Sequence, residues 1–292
     1  MTEPWLWLAW AWGAAAIAMA VVWFVCHRIN NAGYVDVAWA FFIGVGVIAA
    51  ALTLDGLFQR RVWVAVLGAV WAWRLAWHLF KRLKGKEEDG RYAHMRRYFG
   101  GKSPLAFFIF FQMQAVFVVL FLAPMVAAIV IAGPFDWRMI AGVVIWFIAM
   151  GGEALADKQL ADFKAAPVNK GKVCKQGLWR YSRHPNYFFE WLHWFAYLAI
   201  GATLATSIGY AAIAGPVVML VFLVFVTGIP YTEMRAVQSK GEAYKQYQRE
   251  TSAFIPWFPN STSSKSRSSR ASPATSWAVR WASSPAVTSS WP

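Results

Sequence analysis

Charged and strongly polar side chains recur inside stretches that are otherwise apolar. Asp36 stands in Gly33-Tyr34-Val35-Asp36-Val37-Ala38-Trp39. Arg74 and His78 are four apart, as are Glu153 and Asp157, with Lys164 continuing the second face if the helix runs on. Asn186, Glu190 and His193 also share one helical face, because residues three and four apart stack on the same side of a helix. Carboxylates accept hydrogen bonds from ribose hydroxyls, and basic groups hold phosphates. The set therefore suits a phosphorylated, ribose-bearing cofactor. Each pairing also has a plainer reading. Asp36 with Arg74 reads as an ion pair holding a bundle together, Glu153 and Asp157 as interfacial groups in water, and His193 as a helix–helix contact.

The elements that must position these residues are membrane helices. The chain has 292 residues, 59% hydrophobic and 14% charged, against roughly 45–50% and about 25% in soluble domains. This excludes an ordinary soluble domain and a disordered chain. Seven apolar segments approach the ~20 residues needed to cross a bilayer. They are Trp5–Cys26, Tyr34–Leu54, Val62–Phe80, Leu105–Ala132, Trp137–Ala156, Phe188–Ala205 and Gly209–Pro230. In lipid each must satisfy its own backbone as a helix. Pro124 is expected to kink or end the fourth. The first lacks a basic leader, so it reads as a span and not as a cleavable signal.

The expected fold is an all-α polytopic membrane protein of seven transmembrane helices in residues 1–259. Residues 260–292 form a Ser-rich tail expected to be disordered. Basic residues concentrate after the third span (Lys81 to Lys102) and after the fifth (Lys158 to Arg183), while the opposite turns hold Arg60, Arg61 and Arg138. The positive-inside rule then puts the N-terminus outside and the C-terminus in the cytoplasm, as in a bacterial inner membrane. The same rule accounts for the net charge of +14 without a nucleic-acid partner. Cys26 and Cys174 fall on the cytoplasmic side, where they stay thiols; they form neither a disulfide framework nor a metal site. Nothing bears on oligomeric state.

Three blocks carry a resemblance: Gly177-Leu178-Trp179-Arg180-Tyr181-Ser182-Arg183-His184-Pro185-Asn186-Tyr187-Phe188-Phe189-Glu190, Glu233-Met234-Arg235 with 244–257, and Glu88-Asp89-Gly90-Arg91-Tyr92. Over about residues 25–259 the chain resembles a bacterial membrane family similar to the steroid 5α-reductases. The resemblance implies seven helices, NADPH bound from the cytoplasmic side, and a pocket for an apolar substrate entering from lipid. Glu153, Asp157, Lys164, Tyr181, Asn186 and Glu190 match positions near the cofactor in those enzymes. Arg183, His184 and Tyr187 belong to the same block, and Glu233 and Arg235 to the C-terminal segment that also meets the cofactor. Asp36 matches a Glu that polarises the substrate carbonyl, and Arg74 an Arg near the nicotinamide end.

The steroid enzymes pair that Glu with a Tyr in span three. Here the nearest match is Trp71, which has no proton to transfer, so Arg74, His78 or Tyr34 is left to supply the second donor. The expected reaction is hydride transfer to the β-carbon of an enone, with Asp36, Arg74, Tyr34, His78 and Glu190 nearest the chemistry. Asp36 can donate there only when protonated. The Arg-His-Pro core is shared with S-adenosylmethionine-dependent isoprenylcysteine-type methyltransferases, the competing enzyme class. A transporter or lipid-binding scaffold predicts a polar path through the membrane, whereas here the polar residues gather toward one side.

Overall fold

A computed structural model describes residues 3–226 and 228–260. Of the tail expected to be disordered, 260–292, all but Asn260 lies outside the described residues. Among those residues the structure is helical, without strands. Ten α-helices follow one another: α1 (Pro4–Arg28), α2 (Tyr34–Thr53), α3 (Phe58–Leu83), α4 (Gly90–Phe99), α5 (Ser103–Val130), α6 (Trp137–Ala165), α7 (Pro185–Gly201), α8 (Gly209–Val221), α9 (Ile229–Lys240) and α10 (Glu242–Glu250). A π-helical turn, Phe222–Val226, follows α8.

Six helical runs are long and apolar enough to cross a membrane: α1, α2, α3, Gly90–Val130, α6 and Gly209–Lys240. The expected span at 188–205 appears as α7, 17 residues long and outside these six. Pro185 starts α7 at the position where a missing N–H costs nothing. α6 runs on to Ala165, nine residues past the expected end of its span, and carries Lys164 in its last turn. Pro124 does not end its helix: α5 continues to Val130. The proline is buried, and its ring packs against Gly215 of α8.

α5 is the pillar of the bundle, touching α1, α2, α3, α7 and α8, and its C-terminal half is almost wholly buried. Without a hydrophobic drive between helices in lipid, small residues at crossings let backbones approach. A Cβ at Gly201 of α7 would fall 2.7 Å from the Ala128 nitrogen of α5. One at Gly142 of α6 would fall 2.8 Å from the Ala196 carbonyl oxygen of α7. α7 is thereby pinned between α5 and α6.

Helix C-termini leave carbonyls without intrahelical partners. At one end of the bundle three arginines supply donors to them. Arg60 reaches the carbonyls of Ile131, Gly133 (3.2 Å) and Pro134 (2.9 Å) beyond α5. Arg61 donates to Ala51 (2.6 Å) and Leu52 (3.3 Å) at the end of α2. Arg138 donates to Ala199 (3.1 Å) and Ala202 at the end of α7. These are the basic residues of the sparsely charged turns. Trp5 and Trp7 mark the same end through Ser207 and Thr53. Hydrogen bonds to charged groups contribute about 1.5–3 kcal/mol each. Arg60→Ala is therefore expected to lower the melting temperature of the detergent-purified protein, and Arg97→Ala, at an exposed position, to leave it unchanged; differential scanning fluorimetry checks both.

Candidate functional site

The polar layer forms where α3 meets α6 and α6 meets α7. Arg74 on α3 forms an ion pair with Glu153 on α6. One turn further along α6, Asp157 accepts a hydrogen bond from the Asn186 amide of α7 at 3.2 Å. Glu190, one turn after Asn186, accepts from the Trp71 indole of α3 at 3.1 and 3.2 Å. His193 stacks on Trp71, with ring centroids 4.8 Å apart, and its Nε2 lies 3.1 Å from the Tyr197 hydroxyl. Trp194 packs edge-on to Trp71 at 5.3 Å. The expected faces at 153/157 and 186/190/193 do converge. The partner expected for Arg74 does not: the arginine pairs with Glu153 and not with Asp36.

Asp36 belongs to a second group. It lies in the first turn of α2, where the helix dipole favours an acid. It accepts from the Tyr92 hydroxyl at 2.9 Å and from Arg91 at 3.4 Å, both on α4. Both oxygens thus act as acceptors. Beside it, Glu88 accepts from the Ala32 amide at 2.8 Å and from Arg96 at 2.7 and 3.1 Å, tying the polar loop to the start of α2. Tyr34 packs on Phe80, while His78 is exposed.

A third group closes the Arg-His-Pro segment. Arg183 is buried and meets Glu233 of α9 with two nitrogens, at 2.6 and 3.2 Å. Its remaining nitrogen donates to the carbonyls of Gln248 and Thr251. His184 Nε2 lies 3.2 Å from the same Glu233, and the Gln248 amide donates to it at 2.9 Å. A short backbone bridge joins Ser182 to Ser252, and the Tyr247 hydroxyl donates to the Trp179 and Ser182 carbonyls. Tyr187 meets Thr232 at 3.3 Å. Arg183 and His184, expected to bind a cofactor, are thus spent inside the protein. Their local job is to fix the entry into α7, which aims Asn186 and Glu190 at α6 and α3.

Tyr181, Lys164 and Arg235 are exposed. Lys164 and Lys240 lie close enough to act on each other's charge, and both act on Cys174, whose thiol burial nonetheless holds above its usual value. A groove of about 460 Å³ opens at the C-terminal end of α6, lined by Gln159, Asp162, Asn169 and Gln176 among others.

Sequence reasoning passed over Trp146, Trp194 and Tyr197, and quoted Tyr92 only as part of the block 88–92. Tyr197 was within reach of it, since it continues the face of Glu190 and His193 at the next turn. The tryptophans blend into a chain that has 19 of them.

Fold and site define a multi-pass helical membrane protein with a polar layer buried among its helices. The chain belongs to the family described as Protein of unknown function (DUF1295), whose model matches residues 22–251. No curated protein and no solved structure matches it.

Breaking a buried ion pair by removing one partner costs on the order of 3 kcal/mol, because a charge is left uncompensated. Glu233→Ala is expected to lower the melting temperature strongly and to loosen 244–257 toward limited proteolysis, while Arg235→Ala leaves both as they were. A pH dependence follows from Glu88. Burial alone would raise its pKa, but the bonds from Arg96 and the Ala32 amide outweigh that and hold it below its usual 4.5. A depressed carboxyl stabilises the fold above its unfolded value and loses that contribution as pH falls through its folded one. The melting temperature is expected to drop as pH is lowered from about 5, and Glu88→Gln to flatten that drop. An acid limb of unchanged steepness in the variant would contradict the assignment.

Proposed function

We propose that the protein is an NADPH-dependent membrane reductase that saturates the conjugated C=C bond of an apolar enone or steroid-like lipid. The observation that carries this reading is the polar layer of Arg74–Glu153, Asp157–Asn186 and Glu190 within apolar helices. The resemblance of 177–190 to the steroid 5α-reductases supports it. We further propose seven spans, with α7 as the short sixth, an outside N-terminus and a cytoplasmic C-terminus in a bacterial inner membrane. The use of Arg60, Arg61 and Arg138 as carbonyl caps supports that orientation, since it leaves the uncapped basic excess on the other side. A green fluorescent reporter fused to the C-terminus is expected to fluoresce, and alkaline phosphatase fused there to stay inactive; the reverse pair of results contradicts the orientation.

The residues present fit a dinucleotide. Asp157 is partly buried and keeps one oxygen outside its bond to Asn186, as a ribose hydroxyl requires. Lys164 and Lys240 repel each other, and a bound phosphate would relieve that. Lys164 and Arg235 are exposed to meet it. When bound, a reduced nicotinamide supplies a hydride to the β-carbon of the enone. The chain's own part is to orient the substrate, exclude water and stabilise the negative charge that moves to the carbonyl oxygen, while the α-carbon takes a proton from water at the polar end. A donor already aimed at that oxygen is worth about 2.7–4 kcal/mol. Arg183, His184, Tyr187 and Glu233 serve by holding α7 in place, and the Tyr181 carbonyl accepts from the Trp257 amide at 2.9 Å.

Ligand binding to the folded state alone raises its stability by mass action, about 2.7 kcal/mol at one hundred times Kd. NADPH is expected to raise the melting temperature of the purified protein, and S-adenosylmethionine to leave it unchanged. A shift with S-adenosylmethionine alone would place the protein with the methyltransferases that share Arg183-His184-Pro185. No shift with either would contradict enzymatic use of a nucleotide cofactor.

A further inference from the structure

Beyond α10 the chain runs as a strap, 251–258, whose backbone is held at three points. The Arg183 amide donates to the Ser252 carbonyl at 2.8 Å, the Ser182 hydroxyl to the Phe254 carbonyl at 2.8 Å, and the Trp257 amide to the Tyr181 carbonyl at 2.9 Å. Pro256 fixes one further backbone angle between them. The Phe254 ring packs on α7, its centroid 6.0 Å from Phe188 and 5.5 Å from Trp191. The large side chains that follow face the surroundings instead. Ile255 is 57% exposed, Trp257 70% and Phe258 77%. A held backbone thus presents three large apolar side chains within four residues. Single exposed apolar residues need no explanation, but a contiguous set marks a surface that meets protein or membrane.

The strap's place along α7 favours the membrane. Phe188 and Trp191 stand three and six residues after Pro185, the first residue of α7. At 1.5 Å per residue, Phe254 therefore lies about 5–9 Å along the helix from its start, level with the first turns of the bundle and not below it. α7 has 17 residues, which is ~25 Å of helix against roughly 30 Å of hydrocarbon. A span that falls short must be completed by flanking residues or by a thinner bilayer, and the strap brings apolar surface to that short end. Tryptophan is also the residue that settles between hydrocarbon and headgroups. Arg180, exposed and next to Tyr181 in the chain, adds a cation for a headgroup phosphate. We infer that Ile255, Trp257 and Phe258 enter the interfacial layer of the membrane beside the start of α7, with phospholipid as the partner of this surface. The inference rests on the reading of α7 as a short span that starts on the cytoplasmic side. The same strap carries the bonds to Ser182 and Arg183, so its anchorage sets the depth at which α7 begins, and with it that of Asn186 and Glu190.

The test uses the full chain, labelled with fluorotryptophan, one copy per nanodisc of phosphatidylcholine and phosphatidylglycerol. The Trp257 fluorine signal is identified by its loss in Trp257→Phe, which keeps an aromatic ring. Three paramagnetic probes are then compared: a phospholipid with a doxyl group near its ester linkage, one with the group at the chain end, and a water-soluble gadolinium chelate. The Trp257 signal is expected to broaden most with the first. Greatest broadening by the chelate would place the side chain in water, and protection from all three would mean that protein covers it; either result overturns the inference. A second measurement needs no substitution. A phospholipid with a diazirine near its headgroup is expected to leave photoadducts on 255–258 of the wild-type chain, read by mass spectrometry, and their absence would overturn the inference as well. The doxyl lipids report depth in either leaflet. Broadening by them together with reporter fusions that place the C-terminus outside would leave the anchor standing and remove only the orientation. Fusions that place it in the cytoplasm, with no broadening by lipid, would do the opposite.

Discussion

Hydrocarbon offers no hydrogen-bond partner, so every polar group carried into this bundle must find one in the protein. That constraint explains the placement of nearly every charged side chain within the helices. At one end Arg60, Arg61 and Arg138 complete the carbonyls that α5, α2 and α7 leave open. At the other, Glu88 and Asp36 tie α4 to the start of α2. Glu233 closes the segment that leads into α7. Between these ends α5 supplies the apolar pillar on which the other helices lean.

Against that background the α3–α6–α7 interface stands apart. The Arg183–Glu233 group is saturated: all three guanidinium nitrogens are engaged and the carboxylate accepts from several donors. The group around Trp71 mixes ionic and aromatic partners. It holds two carboxylates and an arginine, with the Trp194 indole beside Glu190 and the Trp146 indole beside Tyr197. A fully made network rigidifies its surroundings, because the low dielectric that strengthens a made bond makes an unmade one costly. The two groups are consecutive along the chain, the first fixing where α7 begins and the second lying along its face. The Arg-His-Pro motif thus reads as the support of a site more than as the site itself.

Much of this was legible in the residues. Hydropathy placed α1, α2, α3 and α5 to within a few residues, because lipid imposes length and apolarity together. Helical spacing brought Glu153 with Asp157 and Asn186 with Glu190 correctly onto single faces. What spacing does not carry is which faces meet. Asp36 was matched to Arg74 because both interrupt apolar runs, but its partners Tyr92 and Arg91 lie on α4, in a polar stretch with no hydropathy signal. Glu233 reaches Arg183 across 50 positions of sequence, and no local pattern announces that closure. Hydropathy left open whether α6 runs on to Lys164, because its last turns are polar; the helix does, to Ala165. Trp146 and Trp194 were hidden by composition, since an indole at a membrane boundary and one inside a polar cluster are the same letter.

The central claim is that the polar layer of α3, α6 and α7 serves reduction of a conjugated double bond. Its most direct test is isotope transfer with the purified full-length protein, using NADPH deuterated at the nicotinamide C4 and an apolar enone, the product being read by mass spectrometry and NMR. The account predicts deuterium at the β-carbon of the saturated ketone and a solvent-derived hydrogen at the α-carbon. A product free of deuterium, or one that instead carries a methyl group from labelled S-adenosylmethionine, would contradict it.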